Sequence, residues 1–233
     1  MPTAIVTGAS SGIGKAIALR LLKMDYDVIG ISRHIEKSII EHERFEVIQS
    51  DLSSYDDTML TCKKLQQQFN DIEILINAAG FGRFEPHEEL KSQTIEAMIH
   101  VNLTAPILLS NALLRQLKNT KGYLINITSI EATRSSKFSA LYSATKAGLR
   151  AFGQSLFEEV RKSDLSVITI NPDMTDTAFF DTLRFEPSQE EHSRLEDEDI
   201  ADAIEQILRM RKGVVVTEYT IRPQRFGILK KSL

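Results

Sequence analysis

Short apolar runs rich in β-branched residues alternate along the chain with longer stretches whose apolar positions recur at helical spacing. Thr3–Thr7 (TAIVT) is such a run, and it meets glycines at once. From Ile13 to Met24 the apolar residues Ile13, Ile17 and Leu21, with Ala16 and Leu22 beside them, keep the step of an amphipathic helix. Further strands are predicted at Asp27–Ser32, Phe45–Ser50, Ile72–Ile76, Tyr123–Thr128, Leu165–Ile170 and Val214–Thr217, and further helices over 55–69, 89–118, 140–163 and 197–211. Strands that alternate with helices imply βαβ units, hence an α/β fold with helices on both faces of a doubly wound parallel sheet of about seven strands. The unbroken apolar run Ile72–Ile76 suits a sheet covered on both sides. No repeat or linker divides residues 1–233, so one domain is expected. The longest stretch without a period, 173–195, follows the sixth strand, where open α/β sheets bind ligands. It is a candidate substrate lid: Phe179, Phe180 and Phe185 either cover a substrate or pack a short helix.

Composition narrows the function. The 28 Lys and Arg against 32 Asp and Glu leave a formal charge of −4, which argues against a nucleic-acid partner. A single cysteine, Cys62, excludes an internal disulfide and a cysteine zinc site. His34, His42, His87, His100 and His192 are scattered without metal-ligand spacing, so no metal is expected. No run of about 18 apolar residues is evident, and the chain starts on a strand rather than a basic, apolar leader. The expectation is a cytoplasmic protein with no membrane span.

The first chemistry lies at Thr7-Gly8-Ala9-Ser10-Ser11-Gly12-Ile13-Gly14, between the first strand and the first helix. Glycine permits positive φ and close backbone approach, and a helix N-terminus attracts an anion. Strand, glycine turn and helix together describe a diphosphate site. Ala9 and Ala16 break the pattern of a Walker loop, and Ile17 breaks the G-x-G-x-x-G fingerprint. The wider T-G-x-x-x-G-x-G spacing remains.

Six further segments follow in order: Asp51-Leu52, Asn77-Ala78-Ala79-Gly80, Asn102, Ser129, Tyr142-x-x-x-Lys146, and Asn171-Pro172 through Thr177. On these motifs the sequence resembles the short-chain dehydrogenase/reductase family over nearly its whole length. The resemblance implies a Rossmann-type domain in which Asn102, Ser129, Tyr142 and Lys146 form the catalytic group. It implies nicotinamide-cofactor contacts at Gly8, Ser10, Ser11, Gly12, Ile13, Gly14, Ser32, Arg33, Asp51, Leu52, Asn77, Ala78, Gly80, Tyr142, Lys146, Pro172, Thr175 and Thr177. It also implies a homodimer or homotetramer.

The roles make physical sense. Tyrosine, with a reference pKa of about 10, is a poor acid–base near neutrality. Lys146 lies one helical turn beyond Tyr142, and its charge is expected to lower the phenol pKa. Ser129 is expected to bond the substrate oxygen. Pro106, four residues after Asn102, lacks the N–H that would bond the Asn102 carbonyl. A kink in the helix is expected there, and the resemblance implies that the open carbonyl holds a water of a proton relay. Ser32-Arg33 at the end of the second strand, with His34 and Lys37 beyond, offers no acid to bond a ribose 2′-hydroxyl and a guanidinium to grip a 2′-phosphate. NADP(H) is therefore expected over NAD(H), although Ser11 stands where many NADP-preferring relatives carry a base.

Two departures stand out. Asp173 replaces the usual glycine after Pro172, and Glu131 stands where small residues are common, either contacting a polar substrate or as a solvated loop acid. Arg134 and Lys137 either steer an anionic substrate group or are surface charges. The segment Tyr219–Phe226 looks similar to relatives acting on 3-hydroxy acids and to 3-oxoacyl reductases. The enzymatic reading is an NADP(H)-dependent exchange between a carbonyl and an alcohol, on a small molecule such as a 3-oxo acid or 3-oxoacyl thioester. The alternative is a non-catalytic NADP(H)-sensing module, which would not need Ser129, Tyr142 and Lys146 together.

Overall fold

The predicted strand and helix at the N-terminus form as β1 (Thr3–Thr7) and α1 (Gly12–Lys23). After them come β2 (Asp27–Ser32), β3 (Phe45–Gln49), α2 (Tyr55–Gln68) and β4 (Ile72–Asn77). The chain continues through α3 (Ser92–Ile99), α4 (Ala105–Thr120), β5 (Tyr123–Ile127), α5 (Ala140–Val160) and β6 (Ser166–Pro172). It ends with β7 (Phe185–Pro187), α6 (Asp197–Leu208), β8 (Glu218–Ile221) and β9 (Ile228–Lys230). This computed structural model describes residues 1–33 and 40–231, so the expectations for His34 and Lys37 lie outside the described residues.

Seven strands form one parallel sheet in the order β3-β2-β1-β4-β5-β6-β8. The direction of winding reverses between β1 and β4, and ligands of such sheets bind beyond the strand ends at that point. Side chains alternate between two cores. Val6, Ile76, Ile125 and Ile170 pack with Ile17 and Leu21 of α1 and Ile200 and Ile204 of α6. Ile5, Leu75, Leu124 and Val167 pack on the other face with Leu65 of α2, Leu109, Leu113 and Leu117 of α4 and Leu156 of α5. The doubly wound architecture follows from this alternation: each strand is apolar on both faces, so both must be covered by helices.

Three expectations need correction. The last strand of the large sheet is Glu218–Ile221, not Val214–Thr217. Its partner β6 begins pairing at Thr169, opposite Glu218, whose carboxylate accepts from Arg150 Nε (2.6 Å) and Asn171 Nδ2 (2.7 Å). Val215 and Val216 lean on the core ahead of the strand instead of entering it. The helix predicted over 89–118 starts at Ser92 and is interrupted by a π-turn, His100–Thr104, just before Pro106. The proline removes a donor and crowds the carbonyl four residues back, and the wider turn relieves both. Ser92–Thr120 as a whole is long and apolar enough to cross a bilayer, contrary to the expectation that no such run exists. In this fold its Ala105, Leu109, Leu113 and Leu117 stripe is completely buried against the sheet.

Residues 173–195 are not patternless. They hold a 3₁₀ turn, Ala178–Phe180, and β7, which pairs antiparallel with β9. Lys231 clamps the segment by donating to the Phe180 carbonyl (2.8 Å) and pairing with Glu186 (3.1 Å).

Candidate active site

The residues singled out in the sequence lie at the C-terminal ends of β1 to β6, apart from Asn102 in the π-turn and Tyr142 and Lys146 on α5. At β1 the chain turns through Gly8 (φ +70°) and Gly12 (φ +49°) into α1. A methyl group at Gly8 would lie 2.9 Å from Ala79 Cα, and one at Gly14 would overlap the Gly8 carbonyl, so this turn admits only glycine at both places. Thr7 Oγ1 accepts from the N–H groups of Ala78 (3.0 Å) and Ala79 (2.9 Å), tying the β1 and β4 ends together. Ser11 makes no side-chain cap on α1, and no acid occupies the first turn of that helix. Its N-terminal N–H groups and Ile13 face the region beyond the strand ends, with Ser10 half-buried beside them. Thr177 packs directly over Gly12.

A cavity of about 390 Å³ opens at the ends of β2 and β3, lined by Arg33, Gln49, Ser50, Asp51 and Lys64 among others. Gln49 fixes the turn by donating to the Arg33 carbonyl (3.1 Å). Ser32 is buried and Arg33 exposed. Partial burial pushes the Asp51 carboxyl up, but hydrogen bonds from the Ser53 N–H (2.9 Å) and hydroxyl (2.8 Å), with Arg33 and His100 nearby, hold it below its ordinary value. Leu52 is buried, and its carbonyl meets His100 Nδ1 at 2.8 Å. Lys64 on α2 was not recognised in the sequence, because only the fold brings it beside Arg33.

At the end of β4, the side chain of Asn77 is buried, donating to Asn126 Oδ1 of β5 (2.9 Å) and Ser110 Oγ of α4 (3.4 Å). Gly80 passes so close to Lys146 Nζ and Asn102 Oδ1 that an added methyl would lie 3.1 and 3.2 Å from them. Asn102 sits in the π-turn and is wholly buried. It donates to the Phe81 carbonyl (2.9 Å) and Thr145 Oγ1 (3.2 Å) and accepts from Phe81 N (3.1 Å). It thereby fastens the loop after β4 to α5.

Tyr142 and Lys146 occupy successive turns of α5, with Lys146 Nζ 5.8 Å from the Tyr142 ring centroid. Both are buried. Lys146 donates to the Ile127 carbonyl (3.0 Å), and burial lowers its pKa to about 8. Tyr142 differs from the expectation. Burial pushes the phenol well above its ordinary value; a hydrogen bond with Ser129 pulls it down, and the Glu131 charge pushes it further up. The reason is the seal over it: the rings of Phe84 and Phe179 pack on the phenol at 5.2 and 5.8 Å between centroids. Ser129, in extended conformation at the end of β5, accepts from the Glu131 N–H (3.2 Å).

A second cavity, of about 650 Å³, spreads from Ser129, Tyr142 and Pro172 outward, walled by Ile130, Met174, Phe84, Phe179, Phe185 and Phe226. Phe179, Phe180 and Phe185 form one aromatic cluster with Phe84, so they both pack together and cover the cavity. Glu131 is no solvated loop acid. Its carboxylate is buried and accepts from Arg134 Nε (2.8 Å), Ser136 (2.9 Å), Ser139 (3.0 Å) and Ser143 (3.3 Å). Asp173 is also buried, bonded by Arg222 Nε (2.9 Å) and Met174 N (3.0 Å), with Arg134 at 3.9 Å. Thr175 is buried beside it, donating to the Asp173 carbonyl (3.0 Å). Lys137 is exposed at the rim.

Known proteins resemble this chain in sequence and fold. The sequence is 34% identical over 226 residues to an uncharacterized oxidoreductase of Staphylococcus aureus (strain USA300), covering 94% of this chain and 96% of that protein. A relative from Staphylococcus epidermidis, also an uncharacterized oxidoreductase, is 33% identical over 229 residues, with the same shares covered. The fold superposes on an alcohol dehydrogenase from the archaeon Thermococcus sibiricus, complexed with 5-hydroxy-NADP, with a TM-score of 0.87, 29% identity, and 96% and 97% of the two chains covered. A metagenomic short-chain oxidoreductase in complex with NADP gives 0.80 at 29% identity, with 96% and 97% covered. Residues 2–187 match the model of the short chain dehydrogenase family. With a parallel sheet wound in this order and relatives matched almost end to end, the chain belongs to the short-chain dehydrogenase family of oxidoreductases.

Proposed function

We propose that this enzyme is an NADP(H)-dependent oxidoreductase that interconverts a carbonyl and an alcohol. The observation that carries the reading is that Ser129 and Tyr142 line a cavity of about 650 Å³ reached by Ile13 of the glycine turn, with Lys146 one helical turn beyond Tyr142 and its Nζ 5.8 Å from the phenol ring centroid. The residues present fit a nicotinamide dinucleotide. Gly8 and Gly14 leave no room for a side chain at their own positions, and α1 presents a first turn without acids or a Ser11 side-chain cap. The β2 end offers Arg33 and Lys64 to a 2′-phosphate in a cavity of about 390 Å³. Two solved structures of similar fold hold NADP or its 5-hydroxy derivative.

When bound, the cofactor supplies or accepts the hydride. In reduction, Tyr142 Oη donates its proton to the carbonyl oxygen as that oxygen gains charge, and Ser129 Oγ donates a hydrogen bond to the same oxygen. Lys146, held on the Ile127 carbonyl, supplies positive charge that supports the resulting phenolate. Asn102 holds the loop after β4 against α5, keeping Lys146 and Gly80 in register. The Phe84 and Phe179 rings exclude water from the phenol. The aromatic walls favour a substrate with an apolar body, and 3-oxo acids and 3-oxoacyl thioesters belong to the classes this cavity admits. A homodimer or homotetramer goes with the same reading.

The test is a panel of ketones, 3-oxo acids and 3-oxoacyl thioesters, run with NADPH and with NADH. NADPH is expected to support the faster reduction. Tyr142→Phe, which keeps the ring and removes the proton, is expected to lower kcat by ~10²–10⁴-fold while NADPH still binds. Full activity in that variant refutes the acid–base role.

A further inference from the structure

Glu131 follows Ser129 by two residues, yet its carboxylate reaches away from the loop to the start of α5. One oxygen accepts from Arg134 Nε (2.8 Å) and Ser136 Oγ (2.9 Å); the other accepts from Ser139 Oγ (3.0 Å) and Ser143 Oγ (3.3 Å). Four donor groups thus surround a carboxylate whose side chain is only 9% exposed. Ser139 and Ser143 bracket Tyr142 along α5, and their own hydroxyls lie 2.9 Å apart. Ser139 stands at the N-cap of α5 but makes no side-chain cap; its single hydroxyl proton is shared between Glu131 Oε2 (3.0 Å) and the Ser136 carbonyl (2.8 Å) instead. The N–H of Glu131 meanwhile donates to Ser129 Oγ (3.2 Å). One residue therefore holds the serine through its backbone and the tyrosine's helix through its side chain.

The brace extends outward. Arg134 leans from Glu131 toward Asp173 at 3.9 Å, and Asp173 accepts from Arg222 Nε at 2.9 Å. Asp173 follows β6 and Arg222 follows β8, so alternating charges join three chain segments beside the cavity. A buried carboxylate left with one donor would be costly, which gives this network a single preferred geometry.

We propose that Glu131 is a positioning residue for the reaction assigned above. Its buried carboxylate braces the loop bearing Ser129 to the turn bearing Tyr142, so that both hydroxyls meet one substrate oxygen. The inference rests on that reading of the reaction. It adds an electrostatic consequence. Among the described residues, Lys146 on the same helix places its Nζ 5.8 Å from the phenol ring centroid, and Glu131 from the loop after β5 acts on the phenol by its charge, while Phe84 and Phe179 present only rings. The Glu131 charge opposes phenolate formation, so its removal moves phenol ionisation to lower pH.

Glu131→Ala and Glu131→Gln test this in the full chain, assayed with whichever carbonyl compound of the panel is reduced fastest. Glu131→Ala is expected to lower kcat by ~10–100-fold, the scale of a misplaced reacting group, with the NADPH dissociation constant unchanged. Glu131→Gln keeps the shape and loses the charge. It is expected to retain most of kcat and to shift the acid limb of alcohol oxidation to lower pH. The chain contains no tryptophan, so the same shift can be read from the ultraviolet phenolate band of the NADP⁺-loaded protein, with Tyr142→Phe as the blank. That titration needs no substrate. Should Glu131→Ala fail to fold, Ser143→Ala removes one strut of the brace and is expected to lower kcat by a smaller factor. Unchanged kcat in Glu131→Ala, equal losses in kcat and NADPH affinity, or an unmoved phenol titration in Glu131→Gln overturns the proposal. An inactive panel overturns the reaction itself, a separate result.

Discussion

Replacing Arg33 with alanine separates the two nicotinamide cofactors. Arg33 lines the cavity at the ends of β2 and β3 with Lys64, while Asp51 there is occupied by Ser53. A guanidinium–phosphate pair is charge-assisted and often bidentate, worth about 1.5–3 kcal/mol net. Arg33 is exposed, so solvent screening places the value near the lower end, about 1.5–2 kcal/mol. At about 1.4 kcal/mol per tenfold, NADPH affinity should fall roughly 10- to 30-fold. Lys64 remains to hold part of the charge, so binding should weaken without vanishing. NADH lacks the 2′-phosphate and should lose at most about threefold, the scale of an exposed charge contact. Titration calorimetry of both cofactors on both proteins, at two ionic strengths, measures this. The NADPH penalty should shrink as salt rises. Equal losses for the two cofactors would place the phosphate elsewhere and refute the assignment.

Two further outcomes concern stability. Leu113→Ala removes a completely buried side chain where α4 meets the sheet, and should cost about 2–5 kcal/mol in urea unfolding; a loss under about 1 kcal/mol would mean that this face of α4 is not core. Lys146 has a folded pKa of about 8 against an unfolded 10.5, so the unfolded chain binds more protons between those values. Cofactor-free stability should therefore rise with pH from about 8 toward 10.5, at up to about 1.4 kcal/mol per unit. The Tyr142 phenol, whose folded pKa is raised, opposes that gain once pH exceeds its ordinary value. Lys146→Met should abolish the rise; an unaltered profile in that variant would assign it to another group.

Local pattern made much of this architecture legible. β1, β2 and α1 lie within a residue or two of where their apolar spacing places them, because each packs a regular face. The glycine turn was equally plain, since positive φ and close backbone approach leave few alternatives at Gly8 and Gly14. The misreadings arose where distant segments decide. Val214–Thr217 has strand composition, but β8 begins where β6 offers an edge and where Arg150 and Asn171 meet Glu218. Glu131 reads as a loop acid until Arg134 and three serines gather around it. Lys64 carries no local signal, because its relation to Arg33 exists only after α2 packs beside β3. Tyr142 shows the same limit: the lysine one turn away is visible in the sequence, while the two phenylalanines that seal the ring come from other segments.

The π-turn at His100–Thr104 also sets the phase of one long helix. Such a turn carries one residue more than α-helical winding would. Deleting a single residue there would restore regular winding and rotate everything upstream by about 100° relative to α4. Asn102 would swing off Phe81 and Thr145, and α3 would turn a different stripe toward α5. Insertions and deletions in this segment are therefore far less tolerable than substitutions of similar size, even though neither end of the helix lines the cavity of about 650 Å³.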